Sequence, residues 1–247
     1  MEVIALYNLK GGVGKTTGCV NLAYAAAKDN YNVLVWDLDP QGAASFFLGA
    51  AEAHTSIKKI VGNQQDLSQS IVPSAFPNLD LIPADLSARN MDILLNQHKE
   101  SGAKQLKALL KPLKSQYDFI FLDCPPGFST LADGVFKVAD IILMPAILTT
   151  LSVRTYEIVK SYFETHKINV DKLMCYFNMV DIRKSLHVEV MQSFAKDFRF
   201  FQYYIPSSSE IEKMGVSQKP VLATHPNSRG THSFLALWQE IKEGIIS

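Results

Sequence analysis

Residues 8–17 read NLKGGVGKTT, directly after the apolar run VIALY (3–7) and before the alanine-rich run TTGCVNLAYAAAKDN (16–30). That order is strand, glycine-rich turn, helix. Gly11, Gly12 and Gly14 let the backbone turn tightly and point its N–H groups at an anion. A helix opening at Thr16 adds the positive end of its dipole. Lys15 is placed to reach the β- and γ-phosphates of a nucleotide, and the Thr16 hydroxyl to bind Mg²⁺. The pattern G-x-x-x-x-G-K-[ST] asks for glycine at position 9, where this chain has Leu9, while the core GGVGKT is intact. Lys10 is a second lysine that the loop itself does not require.

Outward from the loop, short apolar runs alternate with longer helical patterns. Strands are expected at 33–37, 79–83, 119–123, 140–145, 173–181 and 200–206. Helices are expected at 86–97, 103–115, 130–138, 152–166, 185–197 and 231–245, with 48–78 the least regular part. Strands that are apolar on both faces belong in a parallel sheet covered by helices on each side. The alternation runs the whole length, so the fold class is α/β, with one doubly wound, mostly parallel sheet in a single domain over 1–247.

In such a sheet ligands bind beyond the carboxyl ends of the strands. The run VLVWDLDPQG (33–42) ends in Asp37 and Asp39, two residues apart. Carboxylates at the tip of a buried strand call for a cation or water, although a helix cap or a surface turn also uses them. The run FIFLDCPPG (119–127) leads to Asp123 as a Walker B strand does, whose aspartate holds Mg²⁺; Pro125, Pro126 and Gly127 then stop the strand.

Bulk properties exclude less. Of 247 residues, 47% are hydrophobic and 19% charged, and Lys+Arg and Asp+Glu are both 24. A neutral total gives no support for nucleic-acid binding. No apolar run is long enough to span a bilayer, and MEVIALYN has neither the basic region nor the cleavage site of a signal peptide. Cys19, Cys124 and Cys175 lack metal-type spacing and read as reduced, buried thiols. The six histidines form no metal set.

Taken together, the motifs resemble the ParA/MinD group of ATPases, whose deviant Walker A motif K-G-G-x-G-K-T matches residues 10–16. DLDPQG (37–42), the DCPPG context of Asp123, and the segments 145–159 and 204–221 resemble its ParA/Soj branch. The resemblance implies ATP and Mg²⁺ as cofactors. It also implies a homodimer with ATP at its interface and slow hydrolysis stimulated by a ParB-like or cargo-adaptor partner. It gives Lys10 a role: crossing to the partner's ATP, as an arginine finger supplied in trans does. Lys15 and Asp39 are the other catalytic residues, with Asp39 positioning water. Residues 10–17 (Lys10, Gly11, Gly12, Val13, Gly14, Lys15, Thr16 and Thr17) hold the nucleotide, with Asn178 and Pro206 at the adenine. Thr16, Asp37 and Asp123 form the metal set, with Asp37 in the magnesium shell or supporting the switch. Gln41 and Gly42 lie in a γ-phosphate-sensing loop. Leu9 and Cys124 depart from residues common in relatives.

The group also implies non-specific DNA binding in the ATP state, a cytoplasmic, nucleoid-associated location, and a chromosome, plasmid or protein cargo. Residues 151–247 hold 12 Lys+Arg against 10 Asp+Glu. The candidates there are Arg183, Lys184, Lys196, Arg199, Lys213, Lys219 and Arg229. The aromatic run 198–204 reads as core strand and not as a base-stacking surface. No N-terminal segment for a helix-turn-helix is expected. Two alternatives use the same loop: a membrane-cycling regulator of the MinD kind, and a metabolic ATP-dependent enzyme. Against the first, the last helix is mildly acidic, and its stripe Phe234, Leu237, Trp238 and Ile241 suits packing on the sheet. An iron–sulfur reductase would need cysteines placed to bridge two subunits, and Cys19 and Cys124 are not.

Overall fold

The structure is a computed structural model and describes residues 1–49, 66–85, 95, 102–185, 187, 189, 191 and 199–246. Its strands are β1 (Glu2–Leu6), β2 (Val33–Asp37), β3 (Val72–Pro73), β4 (Leu79–Ile82), β5 (Phe119–Asp123), β6 (Ile141–Ile147) and β7 (Leu173–Asn178). They form one sheet in the order β3-β4-β2-β5-β1-β6-β7. Every pairing is parallel except β3 with β4. The chain steps left from β1 to β2 and right from β5 to β6, so the winding reverses around β1 and β5. A crevice opens there beyond the strand ends.

The helices are α1 (Lys15–Lys28), α2 (Ala43–Phe47), α3 (Gly102–Leu110), α4 (Thr130–Val138), α5 (Thr150–Thr165), α6 (Ser209–Glu212), α7 (Met214–Ser217), α8 (Val221–Thr224) and α9 (Arg229–Ile246). Period-2 alternation splits each strand between two cores. Val3, Ala5, Leu34, Trp36 and Ile120 face α3, α4 and α5. Ile4, Leu6, Val33, Val35 and Phe121 face α1 and α9. α1 lies close to the sheet because its buried face is rich in small residues, Gly18, Cys19, Ala23, Ala25, Ala26 and Ala27. At Gly18 a Cβ would collide with the Tyr176 hydroxyl. On α9, Phe234, Leu237, Trp238 and Ile241 are all buried, each contributing roughly 2–3 kcal/mol by area. Trp238 meets Phe119 edge-on at 5.0 Å, and Lys242 pairs with Asp29 at 2.7 Å.

Two expectations change. The expected strand 173–181 stops at Asn178, because Met179 takes a left-handed φ of 56°. The expected core strand over 200–206 is an edge segment with two isolated bridges to the β7 side, Cys175 with Phe200 and Val180 with Pro206. Between the bridges, the amides of Gln202 and Tyr203 donate to the Glu240 carboxylate on α9, at 2.7 and 3.2 Å. Amides held by α9 cannot continue a ladder, so the chain bulges outward. The helices expected at 86–97 and 185–197, and Lys196, lie for the most part outside the described residues.

Candidate nucleotide site

The loop after β1 is held from both ends. Asn8 donates its amide to the Pro145 carbonyl at 2.9 Å and accepts the Lys10 N–H at 3.0 Å. Leu9 turns inward and packs on the core. Gly12 and Gly14 adopt φ of 72° and 89°, a region that L side chains rarely enter. Gly14 caps α1 with no side-chain bond, and no acid lies in the first turn. The helix N-terminus is therefore free to meet an anion. A Cβ on Gly14 would also strike the Asn178 amide.

The two lysines differ. Lys15 is 7% exposed and donates to the Lys10 carbonyl at 3.0 Å. Burial lowers its pKa, partly countered by Asp123 and Asp39. Lys10 is half-exposed, and among the described residues no hydrogen bond or ion pair holds its ammonium.

Beneath the loop, Asp37 and Asp123 are register partners on β2 and β5, and both are fully buried. Asp37 accepts the Ser45 N–H at 2.8 Å, the Ser45 hydroxyl at 2.7 Å and the Asp39 N–H at 3.2 Å. Burial still raises its pKa to about 6, against those bonds. Neither oxygen of Asp123 has a hydrogen-bond partner. Its pKa is pushed well up, first by burial and then by Asp37; the nearby Thr16 hydroxyl and Lys15 pull the other way without closing a bond to it. Asp39 is half-buried at the rim, accepts the Gln41 N–H at 3.0 Å and begins a turn closed by Gly42.

Two cavities meet at this surface. One of about 510 Å³ is lined by the glycines of the loop, Lys15, Thr16, Asp39, Gln41 and Pro126. Another, of about 240 Å³, is lined by Asn178, Pro206, Ser207, Met214 and Gly215, and shares Thr17 and Met179 with the first. Asn178 donates to the Val13 carbonyl at 2.7 Å, tying β7 to the loop. Of the sequence-predicted site residues, Gly11, Gly12, Gly14, Lys15, Thr16, Thr17, Asp39, Asn178 and Pro206 line these two hollows, while Lys10, Val13, Asp37 and Asp123 line neither. Cys19, Cys124 and Cys175 are free and buried.

A family model described as an AAA domain matches residues 1–174. The sporulation initiation inhibitor protein Soj of Bacillus subtilis is 31% identical over 251 residues, covering 97% of this chain and 98% of that protein. The chromosome partitioning protein ParA of Myxococcus xanthus is 29% identical, covering 97% and 87%. The chain belongs to the ParA/MinD family of P-loop ATPases. Among solved structures, cobyrinic acid a,c-diamide synthase of Mycobacterium smegmatis with bound ADP and magnesium superposes with a TM-score of 0.83. It is 22% identical and covers 100% of this chain and 96% of that one, a likeness of fold alone.

For a ParA/MinD-family chain, several contacts could not be read from the motif. Asn8 and Ser45 lie outside it, and their partners Pro145 and Asp37 are 137 and 8 residues away. Met179 lines both cavities from a left-handed backbone position. Nothing local in the sequence marks these residues; a serine eight positions after a strand-end aspartate is the nearest signal. Of the basic candidates, Arg183 forks onto Asp181 at 2.8 and 2.9 Å, Arg199 pairs with Asp171 at 2.9 Å, and Arg229 donates to the Tyr204 hydroxyl at 2.7 Å. No described helix is long and apolar enough to cross a membrane.

Proposed function

We propose that this chain is a ParA-type positioning ATPase. As one P-loop domain it binds ATP, closes into a homodimer across the nucleotide, and holds DNA without sequence preference on the cytoplasmic nucleoid. It releases the DNA after hydrolysis stimulated by a ParB-like or cargo-adaptor protein. The observation that carries this reading is the buried Asp123 carboxylate, unpartnered beside Thr16 and Lys15 at the floor of the phosphate loop. A buried, unpaired carboxylate is costly unless a cation meets it. The donor set, all oxygen, suits Mg²⁺.

In this reading the Thr16 hydroxyl and Asp123 hold the metal, and Asp37, braced by Ser45, supports them from the neighbouring strand. Bound magnesium supplies charge neutralisation on the phosphates. The amides of Gly11, Gly12, Val13 and Gly14 cradle the phosphates. Lys15 exchanges the Lys10 carbonyl for a phosphate oxygen. Thr17 links the two hollows, and the base enters the smaller one against Asn178 and Pro206. Asp39, at the rim, orients the attacking water. Lys10, whose ammonium has no partner among the described residues, reaches the partner's nucleotide in trans.

The M. smegmatis synthase, at 22% identity, shares the fold alone and favours no metabolic reading of this chain. A membrane-cycling regulator would need a free amphipathic face, and the apolar stripe of α9 is buried.

Asp39→Ala, with ATP and Mg²⁺ on random-sequence duplex DNA across a salt series, tests the reading. The variant is expected to stay dimeric and DNA-bound, with affinity falling steeply with salt. A dimer that ignores DNA at low salt would remove DNA as the track. Undiminished hydrolysis would remove Asp39 as the water-positioning group.

A further inference from the structure

At the other end of the sheet, where β1 begins, a cavity of about 270 Å³ is lined by Lys107, Lys111, Lys114, Lys137 and Lys172. The only acid among its lining residues is Asp140, which already accepts the Val3 N–H at 2.9 Å. Glu2 lies beside Asp140. Five lysines against these two acids stand out in a chain whose charges balance at 24 and 24. Lys172 donates to the Ala139 carbonyl at 2.7 Å, which fixes one wall. Lys107, Lys111, Lys114 and Lys137 are exposed, and among the described residues no hydrogen bond or ion pair holds their ammonium groups. Arg183, Arg199 and Arg229 of the C-terminal half are engaged, as described above.

We propose that this lysine-lined cavity grips the phosphate backbone of duplex DNA, with Lys107, Lys111 and Lys114 of the N-terminal half as its main contacts. The inference rests on the DNA-binding reading above and gives it a place. Lys107, Lys111 and Lys114 sit at i, i+4 and i+7 across α3 and the following 3₁₀ turn, so they share one face. The row is roughly 10–12 Å long. Over that length one DNA strand offers roughly three phosphates. The lining has no aromatic side chain to stack an unpaired base, and its apolar members are core residues such as Leu110, which leaves no wedge for a membrane. Phosphate contacts of this kind position a duplex and do not read its sequence. β1 runs from this cavity to the phosphate loop, so a dimer closed over the loop leaves the lysines exposed.

The test compares the full-length chain with the triple variant Lys107→Gln/Lys111→Gln/Lys114→Gln. Both are loaded with a non-hydrolysable ATP analogue and Mg²⁺ and titrated onto random-sequence duplex across a salt series. Circular dichroism and nucleotide binding should match between them, because none of the three side chains is buried. The variant is expected to bind at least roughly tenfold more weakly at 0.1 M salt, with a salt slope smaller by about 3 per protomer. The triple arginine variant should bind like the unaltered chain. Equal affinity and slope in the glutamine variant would overturn the cavity and leave the DNA reading standing. If the unaltered chain ignores DNA, or binds anionic vesicles in its place, both fail.

Discussion

Asp37 and Asp123 end β2 and β5 as direct partners in the parallel register, and only Asp37 has hydrogen-bond donors. Two carboxylates on neighbouring strands, both out of water, repel each other and lack solvation. Ser45 and the Asp39 amide answer that cost for Asp37. At Asp123, Thr16 and Lys15 offset part of it, but among the described residues no hydrogen bond closes on either oxygen, which leaves the site fit for a cation.

Asp123→Asn should therefore stabilise the metal-free protein. Removing a buried, unpaired charge is worth on the order of 1–3 kcal/mol, and in a chain of this length each kcal/mol moves Tm by about 2–4 °C. The same change should abolish the further rise in Tm that Mg²⁺ with ATP gives the unaltered chain. Thermal melts with and without ligand measure both, and a lower ligand-free Tm in the variant would contradict the account.

Acid should strengthen the metal-free protein over a defined range. The folded pKa of Asp37, about 6, stands above its unfolded value of 3.8, and that of Asp123 is raised as well. A raised carboxyl contributes stability fully below the unfolded value, and that contribution is lost as pH rises through the folded value. For Asp37 the loss is on the order of 3 kcal/mol. Urea midpoints of the unaltered chain should fall relative to Asp37→Asn/Asp123→Asn as pH goes from about 4 to about 7. A constant difference across that range would refute it.

Ser45→Ala removes the hydroxyl that donates to Asp37 at 2.7 Å and accepts the Ala84 N–H at 2.9 Å. Leaving both short of a partner should cost about 1–3 kcal/mol. Hydrolysis should fall as well, because the 39–42 turn follows Asp37. Ser45→Thr should restore most of both. Chemical denaturation and phosphate release provide the readings.

Lys10→Ala should leave a monomer that binds ATP as tightly as before. Among the described residues the Lys10 side chain holds no partner, and the loop contacts at this residue run through its backbone N–H and carbonyl. Sedimentation with ATP should show the dimer lost, and a normal ATP-dependent dimer would exclude the trans role.

Much of this was legible in the chain. The glycine-rich loop with its flanking strand and helix named the fold, because only that local order places three glycines and a lysine at a helix N-terminus. β2 and β5 occupy the residues that their apolar runs predicted, since four buried residues ending in aspartate leave little freedom in where a central strand stops. α4 spans the expected 130–138 for a similar reason: Ser129 caps it, accepting the Ala132 N–H at 3.1 Å.

Other features depended on distant partners. Propensity made a strand of 200–206, but the Glu240 carboxylate, some 38 residues on, took its amides. The sequence left Asp37 either in the magnesium shell or supporting the switch; the register of β2 with β5 and the placing of Ser45 separate a braced aspartate from an unpartnered one. Counting basic residues along the sequence did not show that lysines from α3, the turn after it, α4 and the approach to β7 line one cavity. Local order in the sequence determined the loop, the strands and the identity of the charged groups. Which of those charges are paired was decided only by the tertiary fold, because pairing depends on contacts between residues far apart along the chain.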